Sequence, residues 1–278
     1  MKINRYSASA IHLAISLLVF LSFIAVLYFL WIPGDLFFMD GGWQGVKLVA
    51  MVDLVLGPLL TLLLFKRGKP SLKFDMSVIA HIQIAALLYG FYTTYNQRVV
   101  ALVYADQRFS TVTLSEYRSS SELLEAKGIE PQPLANFGDK LPVHVFTEPF
   151  DSESFGKYLE SLYNDFPEIR ERNDQYLDLA ESAEQLRQVQ ITKESMQQRG
   201  ILKTVEKLLV KNGRKLEDIE LYPLKARYES GIAVVDPESS RIVEILRHES
   251  LDSSNASEDK TSTDTANDKT VVSEDTTE

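Results

Sequence analysis

The chain has no cysteine. Thiol nucleophiles, disulfides and zinc–thiolate sites are therefore excluded. The absence says little about compartment, because many exported proteins also lack disulfides. Histidine is scarce as well: His12, His81, His144 and His248 are the full set. No two stand at the His-x-x-x-His spacing, and the glycine-rich phosphate loop and the G-x-S-x-G elbow are missing. Positive charge is the minority sign, with 29 Lys and Arg against 39 Asp and Glu and a net charge of -10. That balance argues against nucleic acid as a partner. Residues 251–278 hold hardly any apolar side chain and consist largely of Ser, Thr, Asp and Glu. Such a segment cannot bury enough surface to order itself, so it reads as a disordered acidic tail.

Long apolar runs are confined to residues 1–96, which read as a three-helix transmembrane domain. They cover Ala10–Ile32, Trp43–Phe65 and Met76–Tyr95. Each is roughly 20 residues or slightly more, enough to cross ~30 Å of hydrocarbon as a helix. The first is too long for the core of a signal peptide. Pro33-Gly34-Asp35 follows it where a small-x-small cleavage site would stand. Orientation follows from Lys and Arg. Lys2 and Arg5 precede span 1, the first loop carries Asp35 and Asp40 without a positive charge, and the second loop carries Lys66, Arg67, Lys69 and Lys73. The sequence thus predicts a membrane protein with its N-terminus and second loop in the cytoplasm and everything after span 3 facing outward, which in a Gram-negative bacterium is the periplasm. Tyr28, Trp31, Phe37, Phe38, Trp43, Tyr92 and Tyr95 gather at the outer edge, where aromatic rings prefer to sit.

Span 2 contains an aspartate and a helix breaker, in "VDLVLGPLLT". Asp53 falls about 15 Å from the outer edge at 1.5 Å per residue, near the midplane. A charge there costs about 3 kcal/mol on insertion scales. The Leu, Val and Phe residues around it return about 0.3–0.6 kcal/mol each, so the span still inserts. Such a residue faces protein rather than lipid. Val49, Asp53, Gly57 and Thr61 are four apart and form one stripe, with Gly57 permitting close approach of another helix. Span 3 carries a matching stripe of Gln83, Ala86, Gly90 and Thr94. By depth, Gln83 is level with Gly57-Pro58. Pro58 frees the carbonyl of Leu54 and kinks the helix, and the Gln83 amide is a candidate to satisfy that carbonyl. Ser22 of span 1 is a candidate donor to Asp53. Two uses of these groups stay open: glue between the three helices, or a groove that receives a partner helix. His81 reads as a packed or hydrogen-bonded histidine.

Residues 97–250 are long enough for one compact domain. "VVALVYADQRFSTVTL" predicts two strands around a turn at Ala105–Arg108. A short helix follows, with Ser115 as cap and Gly128 as stop. Leu141–Pro149 reads as a buried strand, and "DSESFGKYLESLYNDFP" as a capped helix. A polar helical stretch is expected to continue through Gln188, and another to run from Thr192 to Lys211. "LYPLKARY", "GIAVVD" and "RIVEIL" close the region as a meander. The pattern is α+β. His144 alternates with Val143 and Val145 and reads as a sheet-face histidine. Lys225, Arg227 and Arg241 could line one face of the meander and meet an anion or an acidic partner, although solvated strand charges are the commoner outcome.

The block from Val52 to Arg98 resembles the type IV pilin accessory proteins of the TfpX/TfpZ group. The residues that carry the likeness are Asp53 with Gly57-Pro58, the basic loop followed by Asp75, the run Gln83–Gly90, and Arg98 at the exit of span 3. The late segment "PLKARYESGIAVVD" is also similar, and the tail falls outside the likeness. Val99 stands where such proteins place a proline after the arginine. The resemblance implies an inner-membrane protein, not an enzyme, that assists its cognate major pilin in pilus assembly. A physical picture consistent with the sequence is that a small-residue and polar groove, with Asp53, Gly57, Pro58, Gln83 and Gly90 as candidate contacts, could hold the pilin helix while the periplasmic domain could hold its head. The partners implied are the major type IV pilin and the lipid bilayer, and neither cofactor nor metal is implied. The alternative is a membrane-anchored periplasmic enzyme acting on pilin or another envelope substrate, which would need a cleft of convergent polar groups.

Overall fold

The computed structural model describes residues 4–31, 34–66, 68–148 and 152–247. Lys2, Pro33, Arg67, Pro149, His248 and the tail expected at 251–278 lie outside the described residues. The described chain divides into two compact units. The first comprises the residues up to Ser182 together with Lys225–Glu229. The second comprises Ala183–Leu224 and the residues from Ser230 on.

The first unit begins with three helices long and apolar enough to cross a membrane: Arg5–Trp31, Gly42–Leu64 and Leu72–Asn96. The shortest has 23 residues, or about 35 Å at the α-helical rise. Asn4 caps the first helix by accepting from the Ser7 amide at 2.8 Å. Spans 1 and 2 each contain a widened, π-helical turn, at Leu27–Trp31 and at Met51–Leu56. The second lies directly before Pro58. The amide of Gly57 reaches back to the Val52 carbonyl, five residues away. A proline cannot donate to the preceding turn, and this wide turn accommodates the missing bond within one continuous span. Between spans 1 and 2 the chain makes a short helix, Leu36–Met39, whose Leu36, Phe37 and Met39 are buried.

The first unit continues with four strands in the order β4-β3-β1-β2, where β1 is Val99–Ala105, β2 Arg108–Thr113, β3 Val143–Phe146 and β4 Leu177–Asp178. The hairpin between β1 and β2 turns on Asp106 and Gln107, both at positive φ (51° and 62°). Two such residues make the primed turn whose twist suits a tight hairpin. β3 joins β1 in parallel and β4 joins β3 antiparallel. Every residue of β1 is buried, as expected of a strand covered on both faces. His144 stands on β3 in register with Leu102. Helix Leu114–Ala126 follows β2, and its cap is Thr113 rather than Ser115. Thr113 and Glu116 form a reciprocal capping box that satisfies both the Glu116 amide and the Thr113 amide, so the helix starts two residues earlier than Ser115 implies. Val103, Val112, Val145 and Tyr176 form the centre of this core.

The helix Ser152–Tyr163 forms within the predicted segment, but the polar helix expected to continue through Gln188 is reduced to the short helix Ala183–Arg187. Asp165 takes a positive φ of 56° and Pro167 follows shortly after, so the chain breaks into two 3-10 turns at Ile169–Glu171 and Asn173–Gln175 and then β4. The bidentate pair of Arg172 with Asp174, at 2.8 and 2.7 Å, ties the second turn.

The second unit holds helices Ala183–Arg187, Lys193–Gln198 and Leu202–Lys211, strand β5 (Glu220–Lys225) up to Leu224, β6 (Ser230–Asp236) and β7 (Arg241–Arg247). The helix predicted from Thr192 to Lys211 is two helices. Gly200 at φ +70° ends the first, so the second restarts at a new angle. Thr192 is the cap, accepting from the Ser195 amide. β6 and β7 pair antiparallel from Gly231↔Arg247 to Asp236↔Arg241. Met196, Val205, Leu209, Ile232 and Val234 pack as this unit's own core.

Candidate membrane groove

The stripe Val49, Asp53, Gly57 and Thr61 is buried along its whole length. The facing stripe of span 3 is half-buried at Gln83 and Ala86 and buried at Gly90 and Thr94. Gln83 lies directly over Gly57, where a Cβ would overlap its side-chain amide. Any larger residue at 57 would push the Gln83 side chain aside, and the contact matches the depth at which the two residues were placed from sequence. Among the described residues no hydrogen bond joins Gln83 to the Leu54 carbonyl. Gly90 receives Val49, whose Cγ2 would lie 3.2 Å from an added Cβ. Thr61 and Thr94 each donate back to the carbonyl four residues earlier, Gly57 at 3.0 Å and Gly90 at 2.8 Å. Such back-bonding hides a hydroxyl inside an apolar span.

Span 1 supplies the third wall. Ser9 donates to the Pro58 carbonyl at 2.9 Å, and His12 Nδ1 lies 2.6 Å from Thr61 Oγ1. This contact ties span 1 to span 2 at the level of Thr61. Ser22 is exposed and donates to Leu18 of its own helix at 2.9 Å, so it does not serve Asp53. The face of span 1 that meets span 2 carries Ser9, His12 and Ser16 instead. His81 bonds the Ser77 carbonyl at 2.7 Å on the exposed side of span 3.

Between the three spans lies a cleft of about 500 Å³. Asp53 and Gln83 line it, with His12, Ser16 and Thr61 as further polar groups and residues such as Ile15 and Ile84 as apolar wall. Of the five candidate contacts, Asp53 and Gln83 open onto this cleft. Gly57, Pro58 and Gly90 are consumed in helix–helix contact. His12 and Ser16 were not singled out from sequence, yet Ser9, His12 and Ser16 recur at helical spacing with the buried Phe20, Phe23 and Leu27.

A second polar cluster lies at the other end of the spans. Asp40, buried just before span 2, accepts from Thr111 Oγ1 at 2.8 Å and from the Arg227 amide at 2.9 Å. The Tyr228 amide donates to the Met39 carbonyl at 3.0 Å. Burial pushes the Asp40 carboxyl above the usual aspartate range, against the hydrogen bonds from Arg227 and Thr111. Beside this clip is a pocket of about 290 Å³ lined by Arg108, Thr111, Glu116, Arg170, Lys225 and Arg227, among others. Lys225 and Arg227 both line this pocket, although the sequence favoured solvated strand charges. Arg241 stands on β7 in the second unit and does not line this pocket.

Three bilayer-length helices that enclose a groove and continue into an α+β region define a membrane-anchored protein. No family model matches the chain, and no solved structure matches it. It is similar to three proteins of Dichelobacter nodosus. The fimbrial assembly protein of serogroup E1 is 35% identical over 99 residues, covering 34% of this chain and 38% of that protein. The fimbrial assembly protein of serogroups C1 and C2 is 35% identical over 99 residues, covering 34% of this chain and 75% of that protein. The one of serogroup I is 33% identical over 108 residues, covering 38% of this chain and 42% of that protein. The chain belongs to this fimbrial assembly protein family, while spanning about two fifths of the length of the first and third relatives.

Proposed function

We propose that the protein acts, without enzymatic activity of its own, in type IV pilus assembly by holding its cognate major pilin in the inner membrane. The supporting observation is the 500 Å³ cleft between the spans. It has apolar walls suited to the side chains of an entering helix. Its few polar groups, Asp53, Gln83, His12 and Thr61, can fix that helix in depth and rotation. The family membership supplies the assembly role. In this reading the N-terminus is cytoplasmic and the α+β region is periplasmic, where it contacts the pilin head. Two weak contacts on one scaffold gain by effective concentration, so neither has to be tight.

The test is co-purification of pilin from native membranes. Asp53→Leu keeps the span apolar and removes the polar anchor. The expected result is full membrane recovery of the variant with pilin capture reduced about tenfold, one lost charge-assisted contact. Photo-cross-linkers at Ile15 and Ile84 should capture pilin, and one at the outward-facing Leu88 should not. Equal pilin recovery with Asp53→Leu, or capture only from Leu88, would remove the cleft from the pilin site.

A further inference from the structure

The pocket beside the Asp40 clip has a composition that the pilin reading does not use. Four cationic side chains, Arg108, Arg170, Lys225 and Arg227, converge there from β2, the 3-10 turn Ile169–Glu171, β5 and the segment after it. Arg170 is spent on acids: Glu116 at 3.2 Å, Glu168 at 3.1 Å and Glu171 at 2.6 Å. It also donates to the Thr111 carbonyl at 3.0 Å. Its charge is neutralised and it forms a wall. The other three are not balanced in this way. Lys225 is exposed and makes no ion pair among the described residues. Arg108 has one loose partner, Asp106 at 3.6 Å. The Arg227 guanidinium bonds the neutral amide of Gln97. On a chain of net charge -10 this pocket is a local surplus of positive charge.

Its position narrows the ligand. Arg227 touches Asp40, two residues before span 2 begins, and Gln97, the residue after span 3 ends. Thr111, in the pocket wall, bonds the same Asp40. Trp31 and Tyr95 pack edge to face at 5.1 Å at this end of the bundle, and Arg98 covers the Tyr95 ring at 4.0 Å. Such aromatic and cationic side chains mark the headgroup layer, and the ends of spans this long lie in it. A pocket one hydrogen bond from two helix ends is therefore at the level of lipid phosphates.

We propose that this pocket binds a phosphate, presented by an anionic phospholipid of the leaflet on the α+β side. Arg108, Lys225 and Arg227 donate to its oxygens, and the Ser110 hydroxyl at the pocket edge can add a neutral donor. A zwitterionic lipid brings its own cation into a site already rich in them, so a singly anionic headgroup is preferred. The bound lipid would hold the segment Lys225–Glu229 at the membrane surface. The proposal is independent of whether a pilin occupies the cleft.

The experiment uses the full chain, purified in detergent, exchanged into nanodiscs and read by native mass spectrometry for lipids that stay bound. Nanodiscs contain phosphatidylcholine alone or an equimolar mixture with phosphatidylglycerol. The wild type should retain phosphatidylglycerol over phosphatidylcholine. The double variant Arg108→Gln/Lys225→Gln, both residues exposed, should retain it about tenfold less. Lys193→Gln, exposed in the second unit, should retain it as the wild type does. Unfolding temperatures of all three proteins verify that the fold is kept. Equal phosphatidylglycerol retention by the double variant overturns the proposal. So does complete displacement by millimolar inorganic phosphate, which would assign the pocket to a free anion. Selective capture of an acidic protein without lipid would overturn it too.

Discussion

The spans and the sheet of the first unit put the same kinds of residue to opposite use. In the spans the buried positions include Ser16, Asp53, Gly57, Thr61, Gly90 and Thr94, while Leu18, Phe29 and Leu63 are each more than two-thirds exposed. In the sheet the most deeply buried positions include Val100, Leu102, Phe109, Val112 and Phe146, at 1% exposure or less. In water, apolar area gains by leaving the solvent, at roughly 25 cal/mol per Å². In hydrocarbon that gain is absent, and helices associate by close backbone approach and by hiding polar groups from lipid. One chain therefore folds by two rules, and the boundary between them falls at the helix ends around Gly42 and Gln97.

The sharpest way to break the comparison is truncation. Phe109→Ala should destabilise the first unit by about 3–5 kcal/mol, read from a shift in its chemical denaturation midpoint. The same loss of apolar bulk at Leu63, in span 2, should leave that midpoint unchanged. A comparable loss at Leu63 would mean that span 2 buries that face in an assembly. The second test enlarges a residue. Gly57→Leu should cost the bundle about 1–3 kcal/mol by forcing Gln83 aside. Gly57→Ala should cost much less once combined with Gln83→Ala, which removes the overlapping amide. Equal stability of Gly57→Leu and wild type in detergent unfolding would show that the close approach is dispensable.

The smallest effects concern two acids of the first unit that titrate in opposite senses. Burial raises Glu116, but the hydrogen bonds from Thr113 and the charge of Arg170 outweigh it and hold this carboxyl below the usual glutamate range. Its contribution is present above the ordinary glutamate value and is lost as pH falls through the lowered one. Thr113→Ala should cost about 1 kcal/mol at neutral pH and less in acid. Asp40 is raised by burial, so its contribution is present in acid and lost as pH rises through the raised value. Asp40→Asn should therefore raise the unfolding temperature at neutral pH relative to wild type, and the difference should shrink in acid. A difference that grows as the pH falls would contradict the burial of Asp40.

The spans were legible because a bilayer demands about twenty apolar residues in a row, and the loop charges stand out against them. The Gly57–Gln83 contact was legible because depth converts directly into residue number along a helix. Ser22 misled because its depth is right but its face is wrong: it points away from the bundle and bonds its own helix. The stripe Ser9, His12, Ser16 was present at spacings of three and four and would have named the correct face of span 1. The missing helix after Tyr163 was foreshadowed by Pro167, and the split at Gly200 by the glycine itself. The basic pocket was only half legible. Lys225 and Arg227 are neighbours in sequence, but Arg108 and Arg170 join them through strand pairing and turns that no local pattern encodes.

The bond from the Arg227 amide to Asp40 spans 187 residues of sequence. At bacterial elongation speeds of about 5–20 residues per second, that separation means a delay on the order of ten to forty seconds between the emergence of the loop and of its clasp. Throughout that interval the Asp40 carboxylate and the Met39 carbonyl lack the bonds that the Arg227 and Tyr228 amides later donate. The newborn chain thus sits in the bilayer with its first crossover unfastened, and it is completed from its far end.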